Sequence, residues 1–221
     1  MKKLFCGFLL FLFLFSIVFS DIPQRIEFNA SVSANFYNLK FSHPLFFVPV
    51  HEPRLSYGFG VGTKINLIHQ LHIGIDVIYK VKKSELVEFS GMEWANVYYR
   101  LRYLSFPVII QYRIPVSSTV FFADVGFEPN FLMNSQVKDE KNDIIIESIM
   151  STNNFDVQIL LGGGIRYKFI SLTARYGWGL QNLNQGVIEY GLGPDIVKVR
   201  NKGFECVLSF YFNLPFLKKK N

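Results

Sequence analysis

The chain has 221 residues, of which 50% are hydrophobic and 17% aromatic, and its formal net charge is +6. This length suits a single domain, and we expect no second one. Three of the lysines form the terminal run 218–220, which we interpret as a solvated tail. Because no surface combining basic and aromatic residues is evident, we expect no nucleic-acid partner.

The first twenty residues have the pattern of a secretory signal peptide. Lys2 and Lys3 precede the apolar run 4–15, and Val18 and Ser20 stand where signal peptidase accepts small residues. The run is short and ends in a cleavage pattern, which makes a permanent membrane anchor the weaker interpretation. We therefore predict that residues 1–20 are removed, which would leave Cys206 without a second cysteine for an intrachain disulfide.

Beyond residue 20, the chain repeatedly alternates apolar and polar residues, which is the period of a β-strand. The first predicted strand, 26–36, is apolar at even positions from Ile26 to Phe36 and polar at odd positions from Glu27 to Asn35. The remaining predicted strands are 55–68, 71–81, 98–114, 119–133, 155–169, 170–181 and 204–212. Eight strands of this kind predict an all-β protein.

The links between these strands alternate in length. Links 37–54, 82–97, 134–154 and 182–203 are long, whereas those near His69, Pro115 and Ile170 are tight. Outer-membrane barrels combine short periplasmic turns with long external loops. The alternation therefore predicts an up-and-down topology with both termini in the periplasm.

Every predicted strand carries an aromatic residue on its apolar parity near the same end. Such a girdle marks a membrane interface on the lipid side of a transmembrane barrel. The eight residues of this outer series are Phe36, Tyr57, Tyr79, Tyr98, Phe131, Phe155, Trp178 and Phe204. A less complete inner series consists of Phe28, Tyr112, Phe121, Tyr167, Phe169 and Phe212.

We therefore predict an eight-stranded antiparallel up-and-down transmembrane β-barrel over residues 21–212, followed by the basic tail 213–221. Its location would be the bacterial outer membrane, with the surrounding lipid as its first partner. The alternative is a soluble barrel whose apolar parity faces inward. The membrane interpretation is better supported, because the polar parity is rich in glycine and the apolar parity is large and aromatic throughout.

Several charged residues fall on the inward parity. Isolated charges in a confined lumen are costly, so we predict that they pair into a structural network, with a proton relay or a small-solute site as the functional alternative. The residues predicted to form the network are Arg113, Asp124, Glu128, Asp156, Arg166, Arg175 and Glu205.

Glycine and histidine patterns favour structure over catalysis. Gly58, Gly60 and Gly62, and likewise the run 162–164, lack the following helix that a phosphate-binding loop requires, so they are predicted to make room for inward side chains opposite. His43, His51 and Glu52 make a loop metal site conceivable, although solvated histidines are the stronger interpretation. We expect no metal, no cofactor and no enzymatic activity.

Three segments carry a resemblance to a known family. They are Tyr103-Leu104-Ser105-Phe106-Pro107-Val108, Phe122-Ala123-Asp124-Val125-Gly126, and a late stretch from Phe155-Asp156-Val157 through glycines 162–164 to Ala174-Arg175-Tyr176-Gly177-Trp178-Gly179-Leu180. The sequence resembles the PorT-like outer-membrane β-barrel domain of Bacteroidota. The resemblance implies a signal-bearing barrel, and the name-giving members are tied to a protein secretion system. This chain departs from the pattern at Gly126-Phe127-Glu128-Pro129, which replaces a Gly-Pro pairing.

Taken with the missing catalytic groups, these patterns predict a structural or interaction module of the cell envelope that makes its contacts through external loops. Envelope or secretion-system proteins are the expected partners. Phe46 and Phe47, in an apolar segment of the first long link, are the candidate contact residues or else cover the barrel mouth. A narrow solute or ion channel and a loop-based adhesin or enzyme are the alternatives.

Overall fold

The computed structural model describes residues 26–41, 50–90, 93–139, 145–147, 154–181, 188–189, 194–195 and 199–212. The predicted signal peptide, the predicted tail, His43, Phe46 and Phe47 lie outside these residues. All regular structure within them is β-strand. The strands are β1 (Ile26–Phe41), β2 (Val50–Ile68), β3 (Leu71–Ser90), β4 (Glu93–Ser105), β5 (Val108–Val116), β6 (Thr119–Asp139), β7 (Ile145–Glu147), β8 (Phe155–Tyr167), β9 (Ile170–Gly179), β10 (Ile188–Glu189), β11 (Pro194–Asp195) and β12 (Val199–Phe212).

The long strands close into an antiparallel ring in the order β2, β1, β12, β9, β8, β6, β4, β3, and the pairing of β3 with β2 completes it. β5 continues the line of β4, because both lie between β3 and β6. The predicted single strand at 98–114 is thus two strands, broken at Phe106 and Pro107. Proline has no N–H for a strand ladder, but the oxygen of Pro107 accepts a bond from the N–H of Asp76 (3.1 Å). Nine strands therefore fill eight positions of a closed barrel.

Three two-residue turns join strands at one end of the barrel. They begin at His69, Ser117 and Lys168, which have positive φ values of 46°, 56° and 52°. A left-handed residue at this position is typical of tight hairpins, because it matches the twist of the flanking strands. We call this end the turn end and the opposite one the loop end.

At the loop end, the strands run further than the alternation predicted. β3 continues to Ser90 and β4 begins at Glu93, so most of the predicted link 82–97 is a paired hairpin. β1 and β2 likewise extend into the predicted link 37–54, to Phe41 and from Val50. The prediction was wrong here for two reasons. Polar residues occupy both parities in the extensions of β2 and β3, and in β1 the polar parity changes from odd to even positions after residue 36. Backbone pairing does not depend on parity.

Side-chain burial decides which parity faces outward. Val61 and Leu161, on the apolar parity, are 60% and 66% exposed, whereas the inward Lys80 and Glu128 are fully buried. An apolar exterior around a polar interior is the reverse of a soluble barrel and requires a lipid surround. The predicted membrane-facing parity is therefore confirmed. Within the described residues, no helix is long and apolar enough to cross a membrane.

The aromatic residues of the outer series all face outward. Phe131 lies 5.0 Å from Phe155 between ring centroids, and Phe59 lies 5.3 Å from Tyr79. Tyr98 does not lie at the same height along the barrel as the rest of the series. It pairs with Glu85, which is six residues closer to the loop end of β3 than Tyr79 is. Leu104, which is opposite Tyr79, occupies the girdle level on β4, because the register between β3 and β4 places Tyr98 nearer the loop end.

Inward glycines lie opposite larger side chains, as predicted. A Cβ added to Gly62 would overlap the Asp76 carboxylate on the neighbouring strand. A Cβ added to Gly74 would come closest to the flexible stem of Lys64, with the Cγ 3.2 Å away, and would make an ordinary contact with the backbone oxygen of Thr63 at 3.6 Å. The two glycines sit on adjacent strands of the same wall, so they form a matched pair for substitution.

Replacing Gly62 by alanine is expected to lower the free energy of unfolding by about 1–3 kcal/mol, because the Asp76 carboxylate must move away from Asn29, its donor at 3.2 Å. Gly74→Ala is the control. It should be neutral or stabilising, since alanine costs less strand entropy than glycine. Urea unfolding in lipid vesicles, followed by tryptophan fluorescence, measures both. Equal losses in the two variants would contradict the assigned packing.

Candidate functional site: the barrel lumen

All seven residues of the predicted network lie on the inward face of the barrel, and the structure adds two ion-pairing residues that the prediction left out. The first is Glu27, near the turn end. One oxygen of its carboxylate accepts bonds from Arg113 (3.0 Å) and from Arg166 (2.8 Å). Since β1, β5 and β8 are not neighbours in the ring, this cluster ties separate parts of the wall together across the lumen.

The middle of the lumen is organised around Asp124. Arg175 donates to its Oδ2 through both Nε (3.2 Å) and Nη2 (3.1 Å), and Gln111 donates to its Oδ1 at 2.8 Å. The oxygen of Gln111 in turn accepts a bond from Nε of Arg113 at 2.6 Å. The middle layer is thereby connected to the cluster around Glu27.

Closer to the loop end lies Lys80, the second residue that the prediction left out. Its ammonium group donates to Glu128 at 2.6 Å and to Glu205 at 3.0 Å, and all three side chains are buried. Lys80 lies on β3, Glu128 on β6 and Glu205 on β12, so one cation joins three strands. Lys80 and Glu27 both lie on the predicted inward parity, which was the available signal for finding them.

The layer nearest the loop end has fewer partners. The Oδ2 atom of Asp156 accepts bonds from Gln158 (3.2 Å) and Asn201 (3.0 Å), and Asp156 forms no ion pair among the described residues. The Nζ atom of Lys82 lies 4.2 Å from the ring centroid of Tyr37 and 4.8 Å from that of Tyr103. Buried atoms without a hydrogen-bond partner in this half of the lumen include the Lys82 Nζ, both amide atoms of Asn35, and one carboxylate oxygen each of Glu128, Asp156 and Glu205.

The arrangement suits a hydrated structural core. Buried polar atoms that lack a protein partner normally form hydrogen bonds with water. Several such atoms lie together in the half of the lumen that is nearer the loop end. A metal centre has less support, because the described residues contain no group of three His, Cys, Asp or Glu side chains that could hold an ion. His72 is buried, and its Nδ1 atom lies 3.3 Å from the backbone oxygen of Gln70. His69 is exposed at a turn.

Comparison with protein families identifies a domain family that covers most of the chain. A family model described as "Outer membrane protein beta-barrel domain" matches residues 19–185. Comparison with curated protein sequences gives no match.

Several solved structures are similar to this fold. The outer membrane protein OprG from Pseudomonas aeruginosa has a TM-score of 0.50 at 8% identity, covering 86% of this chain and 96% of its own. Neisserial surface protein A has a TM-score of 0.43 at 12% identity, covering 84% and 97%. Ail of Yersinia pestis, solved with a heparin analogue, has a TM-score of 0.42 at 9% identity, covering 85% and 99%. At these identities the similarity concerns the fold alone.

Proposed function

Because the chain belongs to the outer membrane protein beta-barrel domain family, we propose that it acts as a closed barrel in the bacterial outer membrane, a structural or interaction module and neither a pore nor an enzyme. The observation that carries this proposal is the set of ion pairs across the lumen. Lys80 with Glu128 and Glu205, and Glu27 with Arg113 and Arg166, occupy the interior at two levels. An eight-stranded barrel has room only for side chains, so these groups leave no wide path for solutes.

Reconstituted in planar lipid bilayers, the protein is expected to give no large, stable conductance, because buried ion pairs with excellent geometry open only at high cost. Single-channel recording at several voltages measures this. An authentic porin in the same bilayers serves as the positive control. Porin-like steps from the wild-type protein would contradict the proposal and favour a narrow solute or ion channel.

Both termini are proposed to lie in the periplasm. Support comes from the two-residue turns at one end and the paired strand extensions at the other, since external connections are the long ones in outer-membrane barrels. In a Cys206→Ala background, a cysteine at Ser118 should react with an impermeant maleimide only after the cells are permeabilised. Labelling of intact cells at this turn would reverse the orientation.

The loop end is the proposed contact surface. From Tyr79 in the girdle, β3 continues for eleven residues to Ser90, which is about 35 Å of strand, so the wall projects past the bilayer. A projecting sheet presents a rigid surface for other envelope proteins.

Membership of the PorT-like group, and with it a part in protein secretion, is a narrower proposal that rests on the sequence resemblance. Crosslinking in intact outer membranes, followed by purification, tests it by identifying the partners. If the protein is instead an adhesin or an enzyme, it should bind or turn over a ligand in the absence of those partners.

A further inference from the structure

A group of buried polar side chains lines the lumen from the layer of Lys80 toward the loop end. Each of them is at most 3% exposed, and together they come from five strands of the ring. They are Asn35, Tyr37, Lys82, Tyr103, Asp156 and Asn201. We call this part of the lumen the upper chamber. The ion pairs of Lys80 form its floor, on the side of the turn end.

Two lysines of the same strand are used differently at this level. Lys80 and Lys82 both point inward from β3, and Lys80 reaches across the lumen to two carboxylates. The Nζ atom of Lys82 is buried and makes no hydrogen bond, and it lies 4.2 Å and 4.8 Å from the ring centroids of Tyr37 and Tyr103. A lysine stem is long and flexible, so its length does not prevent pairing. The two rings therefore hold an ammonium group that has no counter-ion bonded to it among the described residues.

An unpaired carboxylate lies in the same chamber. Asp156 accepts hydrogen bonds at Oδ2 from two amides, whereas its Oδ1 is buried without a partner. One of those amides belongs to Asn201, with which the hydroxyl of Tyr103 also interacts. Since the ring of Tyr103 faces Lys82, a bridge of one tyrosine and one asparagine separates the cation from the anion. The two charges thus line one chamber without meeting.

This arrangement costs stability that the rest of the lumen avoids. A buried charge without its partner is strongly destabilising, and the lower layers show that this chain can pair its charges across the barrel. Water can bond to the free atoms, but it supplies neither charge with a counter-ion. Places where a protein departs from good local pairing tend to be functional sites. Asn35 adds an amide whose donor and acceptor are both buried and free, so the chamber offers groups of both kinds.

We propose that the upper chamber binds a small zwitterion, a molecule that carries one carboxylate and one ammonium group. The carboxylate of the solute accepts a hydrogen bond from Nζ of Lys82, and its ammonium group donates one to Oδ1 of Asp156. Both buried charges then have a counter-ion, whereas a solute with a single charge leaves one of them unpaired. Because a barrel of eight strands has room for little more than side chains, the solute has the size of an amino acid.

The test uses γ-aminobutyrate as the probe, together with butyrate and butylamine, which each lack one of its charges. Isothermal titration calorimetry of the folded protein in phosphatidylcholine nanodiscs measures the three dissociation constants. The wild type should bind γ-aminobutyrate about tenfold more tightly than either analogue. Lys82→Met should bind γ-aminobutyrate no better than butylamine, and Asp156→Asn should bind it no better than butyrate.

Lys64→Met is the matched control. Lys64 is also a buried, inward lysine beside two rings, those of Phe122 and Tyr211, but it lies in the half of the lumen nearer the turn end. Its replacement should leave the preference for γ-aminobutyrate unchanged. A heat-dependent gel shift in SDS checks that each variant is folded.

Each other outcome overturns the proposal. If the wild type does not bind γ-aminobutyrate, the chamber holds water only. Equal binding of the three compounds, or a preference that survives in Lys82→Met or Asp156→Asn, places no zwitterion between these two charges. A measurement on the wild type stands even if a variant does not fold: solid-state NMR should detect a contact between a ¹⁵N-labelled lysine side chain and the ¹³C-labelled carboxylate of γ-aminobutyrate, and its absence also contradicts the proposal. The bilayer recordings are independent of this result, because a bound solute does not have to cross the layer of Lys80.

Discussion

Replacing Lys80 by methionine is expected to lower the free energy of unfolding by about 3–5 kcal/mol, the loss typical when one partner of a buried ion pair is removed. Glu128 and Glu205 would then remain in the lumen without the ammonium group that donates to both. Neither carboxylate has a second cation within bonding distance among the described residues. Urea unfolding in lipid vesicles, followed by tryptophan fluorescence, measures the loss.

The matched control is Lys82→Met, two residues along the same strand and on the same inward face. Lys82 is equally buried, but its Nζ makes no hydrogen bond and contacts the rings of Tyr37 and Tyr103. Its replacement should change stability by less than about 1.5 kcal/mol, because an apolar side chain of similar volume keeps the packing. Adding Glu128→Gln and Glu205→Gln to Lys80→Met should recover part of the loss. Equal effects of the two lysine variants would mean that the ion pairs do not stabilise the barrel.

Within the bilayer, the sequence was sufficient to predict which face of a strand each residue occupies. Each residue there meets either lipid or lumen, so apolar and polar side chains must alternate, as they do at Ser171, Leu172, Thr173 and Ala174 of β9. The tight turns followed from the same pattern. Beyond the bilayer both faces meet water, which removes the alternation, and the extended hairpin between β3 and β4 was therefore missed.

Irregular pairing was a second limit. The break at Phe106 and Pro107 leaves the parity unchanged from Tyr103 to Arg113, so an alternating pattern cannot reveal it. Register shifts, such as the one between Arg102 and Tyr103 against β6, change which residues are level across strands. The regular register between β3 and β4 is likewise absent from the sequence pattern, and it places Leu104, not Tyr98, opposite Tyr79 at the girdle level.

For the lumen, the sequence indicated which charges point inward but not which of them meet. Partners across the lumen lie on strands that are far apart in the ring, as Glu27 of β1 and Arg113 of β5 do. Their contact depends on strand tilt and shear, which no local pattern encodes. Asp156 illustrates the limit, since its partners are the amides of Gln158 and Asn201.

An arginine at Val61 is expected to lower the free energy of unfolding by about 2–4 kcal/mol, the cost of a cation facing lipid near the bilayer midplane. Val61 faces outward opposite Ala30 on β1 and Val77 on β3, so its neighbours offer no counter-ion. The side chain lies four residues from Tyr57 at one interface and seven from Ile68 at the turn end, too deep for easy snorkelling. Urea unfolding in lipid vesicles again provides the measurement.

Val116→Arg is the depth control, because Val116 also faces outward and is similarly exposed but lies at the end of β5, beside the turn. At an interface, the cost of arginine falls to about 0–1 kcal/mol. Equal costs at the two positions would show that the apolar surface does not span a bilayer, and tolerance of arginine at Val61 would place that face in water. Since both substitutions replace valine by arginine on an exposed strand face, a difference between them reports depth in the membrane and not the strand propensity of arginine.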